Sequence, residues 1–159
     1  MTSRWDNHFL GLAAAHAAMS KDPNTKVGSV IVGPRRELRS AGFNGFPRLI
    51  CDSPERLNDR ETKLSLIVHA ECNAIVQAAR VGVPLDGCTL YLAATDDTGA
   101  IWGGPPCTRC TVHVIQAGIT TVVSRPQKAV PSRWHADLAV ARGLLAEAGV
   151  EYREVAHHG

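Results

Sequence analysis

Apolar positions along this chain recur with two periods, and the alternation of those periods lays out its elements. Over residues 5–20 apolar and small side chains return at helical spacing, with Asp6 suited to a first turn, and Asp22-Pro23-Asn24 closes the segment. The run KVGSVIV at 26–32 is rich in β-branched residues, Gly33-Pro34 turns the chain, and 37–43 supplies a hairpin partner. Residues from 44 to about 63 contain Gly45, Pro47, Pro54 and many charges, which predicts a long loop. Good helix formers fill 70–81, and a strand follows over 88–93. A polar, glycine-rich stretch at 95–106 precedes a helix over 107–117 that Gly118 terminates. A β-branched strand at 119–124, a helix at 134–148 and a last strand at 150–155 complete the chain.

The resulting order is α-β-β-α-β-α-β-α-β. Strands joined through helices imply parallel pairing, whereas the first two, joined tightly, should be antiparallel. The predicted fold is α/β: a mixed five-stranded sheet with helices on both faces, a three-layer α/β/α arrangement. No repeat, low-complexity tract or linker interrupts it, so a single domain over 1–159 is expected, with a flexible tail from about 156.

Composition narrows the function classes. At 159 residues, with 45% hydrophobic and 20% charged, the chain can bury a core without staples. A net charge of +2 and no Lys/Arg block argue against nucleic acid as a partner. No apolar run approaches membrane-spanning length and the N-terminus lacks a signal-type pattern, so a cytoplasmic protein is expected. Cysteines at 51, 72, 88, 107 and 110 form no secretory framework; in a reducing compartment the C-x-x-C pair reads as metal-binding or redox-active.

The candidate chemistry lies in His69-Ala70-Glu71 and, downstream, Pro106-Cys107-Thr108-Arg109-Cys110. One imidazole and two thiolates suit tetrahedral zinc, and three protein ligands leave a fourth position for water, as catalytic zinc requires. H-x-E followed by P-C-x-x-C is the signature of zinc-dependent nucleobase deaminases, whose glutamate moves protons and is not a ligand. His69, Cys107 and Cys110 are therefore the expected ligands of a Zn2+ cofactor, and Glu71 the expected acid–base catalyst. Two other readings stand beside this one. Cys72, three residues past His69, offers a fourth ligand for a structural zinc; and Cys107/Cys110 as a redox pair would leave His69 and Glu71 without a use. Cys51, Cys88 and the remaining histidines carry no signal beyond ordinary surface or core positions.

From residue 5 to about 155 the sequence resembles the deoxycytidylate (dCMP) deaminase family, within the cytidine deaminase-like superfamily. The resemblance rests on Ser20-Lys-Asp-Pro-Asn-Thr-Lys-Val-Gly28, Gly42-Phe-Asn-Gly-Phe-Pro47, His69-Ala-Glu-Cys-Asn-Ala-Ile75, Pro106-Cys-Thr-Arg-Cys110 and Gln116-Ala-Gly-Ile119. The zinc motif is common to the superfamily; the G-F-N-G-x-P stretch and Asn73 are more selective. The resemblance implies hydrolysis of dCMP to dUMP and ammonia, and family members are commonly homo-oligomers, some regulated by dCTP and dTTP. It implies that Asn44 bonds the base or sugar, that the N–H of Ala70 meets the base carbonyl, and that Lys26 meets the phosphate. The same chemistry on a free base, a nucleoside, guanine or a modified cytosine, and a non-catalytic zinc module, are the rival readings. Two departures bear on them. Leu64, Leu66, Ile67 and Val68 stand where many members have aromatics. Between Tyr91 and Pro106 there is an insertion of about ten residues, the kind of loop in which specificity is built. Trp102 within it is placed to stack on a base or to anchor the loop. Arg80, eleven residues beyond His69 on the expected helix, lies about 16 Å along its axis and is too remote for a mononucleotide's phosphate.

Overall fold

Strand β1 (Thr25–Val32) pairs on both sides within the sheet. A computed structural model describes residues 4–156; the part of the expected tail beyond Ala156 lies outside them. On one side β1 pairs antiparallel with β2 (Leu38–Phe43), the hairpin expected from the Gly33-Pro34 turn. On the other it pairs antiparallel with β3 (Thr89–Asp96), in register from Thr25↔Asp96 to Val32↔Thr89. Strands β4 (Thr121–Ser124) and β5 (Glu151–Glu154) extend the sheet in parallel with β3, giving the order β2-β1-β3-β4-β5. The helical crossover after β2 thus reaches a strand running parallel to β2 but not beside it, since β1 lies between.

Period-two alternation on the strands makes two cores, one on each face. Val30, Val32, Tyr91 and Val123 face helix α1 (Arg4–Ala17) and bury Phe9, Leu10 and Ala13. Ile31, Leu90, Leu92 and Val122 face the other way, onto Ala74 and Ala78 of α4 (Ala70–Val81), Val114 of α5 (Thr108–Gln116) and Leu145 of α6 (His135–Glu147). The three-layer α/β/α arrangement follows. Asp6 stands in the first turn of α1 as expected and is buried, accepting from the Tyr91 hydroxyl at 3.0 Å and from Arg153 at 2.9 Å.

The long loop expected between residues 44 and 63 is replaced in part by two short helices, α2 (Pro54–Asn58) and α3 (Arg60–Leu66). Ser53 caps α2 and Pro54 stands at its first position, a start signal present in the sequence but overshadowed by the surrounding charges. Helix α3 buries no residue fully, so no apolar stripe announced it.

Candidate metal centre and cavity

The His-x-Glu segment lies where the hairpin pins the start of α4. His69 is the N-cap of that helix, with extended backbone and no side-chain capping bond, so its imidazole is free for another partner. Two buried serines fasten the first turns to the sheet: Ser29 Oγ donates to the Ala70 carbonyl at 2.8 Å, and Ser40 Oγ to the Ala74 carbonyl at 2.7 Å. Asn73 Nδ2 donates to the Phe43 carbonyl at 2.9 Å. Helix and strand approach so closely that a Cβ on Gly42 would stand 2.6 Å from the Ala70 oxygen and 2.7 Å from the Ala74 nitrogen.

Cys107 has the same place on α5: N-cap, extended, with no side-chain cap of its own. Asp137 of α6 caps that helix from outside, accepting the Thr108 N–H at 2.9 Å, while the Thr108 hydroxyl donates to the Asp137 carbonyl at 2.9 Å. A carboxylate supplied by another helix satisfies the orphan donor and releases the thiol for ligation. Sequence reading passed over Ser29, Ser40 and Asp137 because their partners are distant in the chain.

The ligand atoms of His69, Cys107 and Cys110 all lie within 4.8 Å of one another. His69 Nδ1 is 3.5 Å from Cys107 Sγ and 3.3 Å from Cys110 Sγ. One imidazole and two thiols on two helix starts suit zinc by donor type, and the helix ends favour the thiolate form. Cys72 is not part of that cluster; its sulfur is 3.7 Å from Cys110 Sγ. The redox reading loses its ground, since the imidazole converges on both thiols.

The cluster holds its protons unevenly. The Cys110 thiol donating to it, with help from His69, brings Cys107 down to about 4. His69 is pushed up to about 9, first by its hydrogen bond to Cys107. Cys110 is pushed strongly up, first by that same Cys107 partner. Glu71, 4% exposed, is raised to about 7, chiefly by burial and then by the Cys107 charge.

Glu71, His69 and Cys107 open onto a cavity of about 530 Å³, within the range of small-molecule sites. Asn44, Ala70 and Trp102 line it as well. Asn44 is buried, and its amide is engaged by β1: Oδ1 accepts the Val27 N–H at 2.8 Å and Nδ2 donates to the Thr25 carbonyl at 2.9 Å. One amide N–H and one lone pair are left over. The Ala70 N–H belongs to the first turn of α4, where no intrahelical acceptor exists.

Lys26 corrects an expectation. It does not line the cavity; its ammonium donates to the Ser20 carbonyl, closing the turn before β1. Alternation along β1 puts its neighbours Thr25 and Val27 in the lining instead. Arg80 is exposed and also absent from the lining.

The inserted segment prolongs β3 to Asp96 and folds back, with Thr95 bridging Ile101. The Thr98 hydroxyl, backbone N–H groups and the Trp102 indole hold the Asp96 carboxyl below the usual range. The Trp102 backbone N–H donates to the Ala94 carbonyl at 3.0 Å, so the residue is held through its backbone there and through its indole at Asp96 while it lines the cavity. Gly103 follows with φ of 66°, and a Cβ there would strike the carbonyls of Arg125 and Pro126.

Comparison with known proteins agrees with this geometry. The cytidine and deoxycytidylate deaminase zinc-binding region matches residues 3–125. A deaminase of Aliivibrio fischeri is 36% identical over 152 residues, covering 95% of this chain and 93% of that protein. Human deoxycytidylate deaminase is 34% identical over 155 residues, covering 94% and 79%. The crystal structure of dCMP deaminase from the cyanophage S-TIM5 in complex with dCMP and dUMP superposes with a TM-score of 0.72 at 21% identity, covering 98% of this chain and 99% of that one.

Proposed function

The chain belongs to the deoxycytidylate deaminase family of zinc-dependent hydrolases, and we propose that it converts dCMP and water to dUMP and ammonia. The observation that carries this reading is the opening of His69 and Cys107, two members of the His69–Cys107–Cys110 cluster, and of Glu71 onto one cavity of nucleotide size.

His69, Cys107 and Cys110 would hold the zinc. Bound there, zinc supplies a water acidic enough to act as a nucleophile near neutral pH. Glu71 would take a proton from the attacking water and pass it to the ring nitrogen beside C4, then carry the remaining proton of that water, now on the hydroxyl added at C4, to the departing amine. Its burial suits both tasks, because a carboxyl held near neutrality exchanges protons in either direction. The Ala70 N–H meets the base carbonyl, the spare amide N–H of Asn44 meets the base or sugar, and the Trp102 ring stacks on the base. The amine nitrogen leaves as ammonia and the carbon keeps the water oxygen.

Release of ammonia from dCMP, CMP, dCTP, deoxycytidine, cytosine, guanine and adenine by the zinc-loaded enzyme tests this. The highest kcat/KM should fall on dCMP; a preference for guanine or a free base overturns the reading.

A cytoplasmic location is part of the proposal, since three thiols around one centre, none of them paired, require reducing surroundings. Among the described residues no helix is long and apolar enough to cross a membrane. Assembly into a homo-oligomer belongs here too: Val76 and Val81 on α4 are 60% and 59% exposed, beside Arg80, and offer apolar surface for a second copy. Sedimentation of the purified protein decides this.

A further inference from the structure

Helices α4 and α5 meet at the metal centre at two levels. At the first, the N-caps His69 and Cys107 face each other, with Nδ1 3.5 Å from Sγ. One turn further in, each helix carries a cysteine three residues beyond its cap, Cys72 on α4 and Cys110 on α5. Residues three apart share a helical face, so the packing that joins the first pair also brings the second together. Cys72 Sγ stands 3.7 Å from Cys110 Sγ. A disulfide would require the two sulfurs to close from 3.7 Å to about 2.0 Å, a movement shared between two side chains.

The two sulfurs otherwise differ. Cys110 belongs to the ligand cluster and is 1% exposed. Cys72 lies outside that cluster, is partly exposed, and is absent from the lining of the substrate cavity. A metal held by Cys107 and Cys110 leaves the Cys72 thiol uncommitted, and solvent reaches it from outside the cavity. Access to solvent and a second thiol poised alongside are the two properties of a cysteine that oxidises to a disulfide. The pair is distinct from Cys107 and Cys110, which converge with His69 as ligands.

We propose that Cys72 is an oxidation site whose disulfide with Cys110 takes a ligand away from the zinc, so that hydrogen peroxide reversibly shuts the enzyme off. The proposal rests on the reading of His69, Cys107 and Cys110 as the ligands of a deaminase zinc. In the first step the Cys72 sulfur attacks one peroxide oxygen and the O–O bond breaks, giving a sulfenic acid and one water. The Cys110 sulfur then attacks the Cys72 sulfur; the S–S bond forms as the S–O bond breaks, and the departing hydroxide takes up a proton as a second water. The two sulfurs lose two electrons and the peroxide gains them. His69 and Cys107 remain, two protein donors where a catalytic zinc site has three, and the metal is lost. A dithiol reductant returns the two electrons through a mixed disulfide and restores both thiols.

The test uses the zinc-loaded full chain carrying Cys51→Ser, which removes an exposed thiol able to cross-link copies. Free zinc is followed with a colorimetric chelator while hydrogen peroxide is added, and disulfides are mapped by mass spectrometry of unreduced peptides. Peroxide should release one zinc per chain and join Cys72 to Cys110; dithiothreitol with added zinc should restore both metal and turnover. Adding Cys72→Ser should leave zinc binding and turnover as in the parent, yet slow the peroxide-driven release of zinc by about tenfold or more. Equal release from the two proteins, a Cys107–Cys110 bridge, or a Cys72–Cys110 bridge formed with the zinc still bound overturns the proposal. A parent that takes up no zinc before any oxidant is added defeats the metal-centre reading itself, and the proposal with it.

Discussion

His69 and Cys107 are each the N-cap of a helix, and the imidazole nitrogen of one lies 3.5 Å from the thiol of the other. Two helix starts are thereby aimed at one point from separate parts of the chain. Neither residue caps its own helix, so both ligand groups face the centre.

Zinc binding should be strongly pH-dependent. With His69 at about 9 and Cys110 higher still, both are protonated at pH 7 in the metal-free chain, whereas Cys107 at about 4 is not. Ligation displaces those two protons, so affinity falls as pH drops, and below about pH 4 a third proton on Cys107 must be displaced as well. Calorimetry in buffers of different ionisation enthalpy should find about two protons released near pH 7. Release of none would mean that the metal-free cluster is already deprotonated.

Removing the metal with a chelator should lower the melting temperature as well as abolish turnover, because the ligands converge only in the folded state. Cys107→Ser and Cys110→Ser should each lose stoichiometric zinc. A Cys72→Ser variant should keep it, since Cys72 stands outside the cluster; loss of zinc there would bring Cys72 into the ligand set.

Glu71→Gln should retain the fold and one zinc per chain and lose about 10²–10⁴ in kcat, the range for a general acid–base group. A near-normal kcat would mean that another group moves the protons.

Trp102→Ala should raise KM or reorder the substrates more than it shifts melting. The loop around it keeps its Asp96 turn, with Thr98 and Ala100 N–H groups both 2.9 Å from the carboxylate. A change confined to melting temperature would make Trp102 a packing residue.

Gly42→Ala should destabilise by about 1–3 kcal/mol, because the new methyl overlaps the backbone of α4. Zinc affinity should fall with it, since His69 rides on that helix. Gly11→Ala on α1, with open space around its Cβ, should instead stabilise by about 0.5–1 kcal/mol. Equal effects from the two substitutions, read by chemical denaturation, would show that α4 yields without cost.

Much of this protein was determined by local sequence. Helix propensity located α4 to the residue, and β-branched content with the Gly33-Pro34 turn located the β1–β2 hairpin. A candidate ligand set was readable because zinc chemistry restricts donors to few side chains, and His-x-Glu and Cys-x-x-Cys each fit within one helical turn. Tertiary structure alone decided the rest. Helix α3 was hidden because it buries nothing fully; its pattern is cavity-facing, and no cavity exists in a sequence. Asp6 reads as a first-turn acid and is one, but only the fold closes Tyr91 and Arg153 over it, from 85 and 147 residues away. Lys26 passes for a phosphate ligand until the turn at Ser20 claims it. Periodicity and donor chemistry act over a few residues and are written there. Which cation faces the substrate depends on how distant segments pack, and only the folded chain brings those segments together.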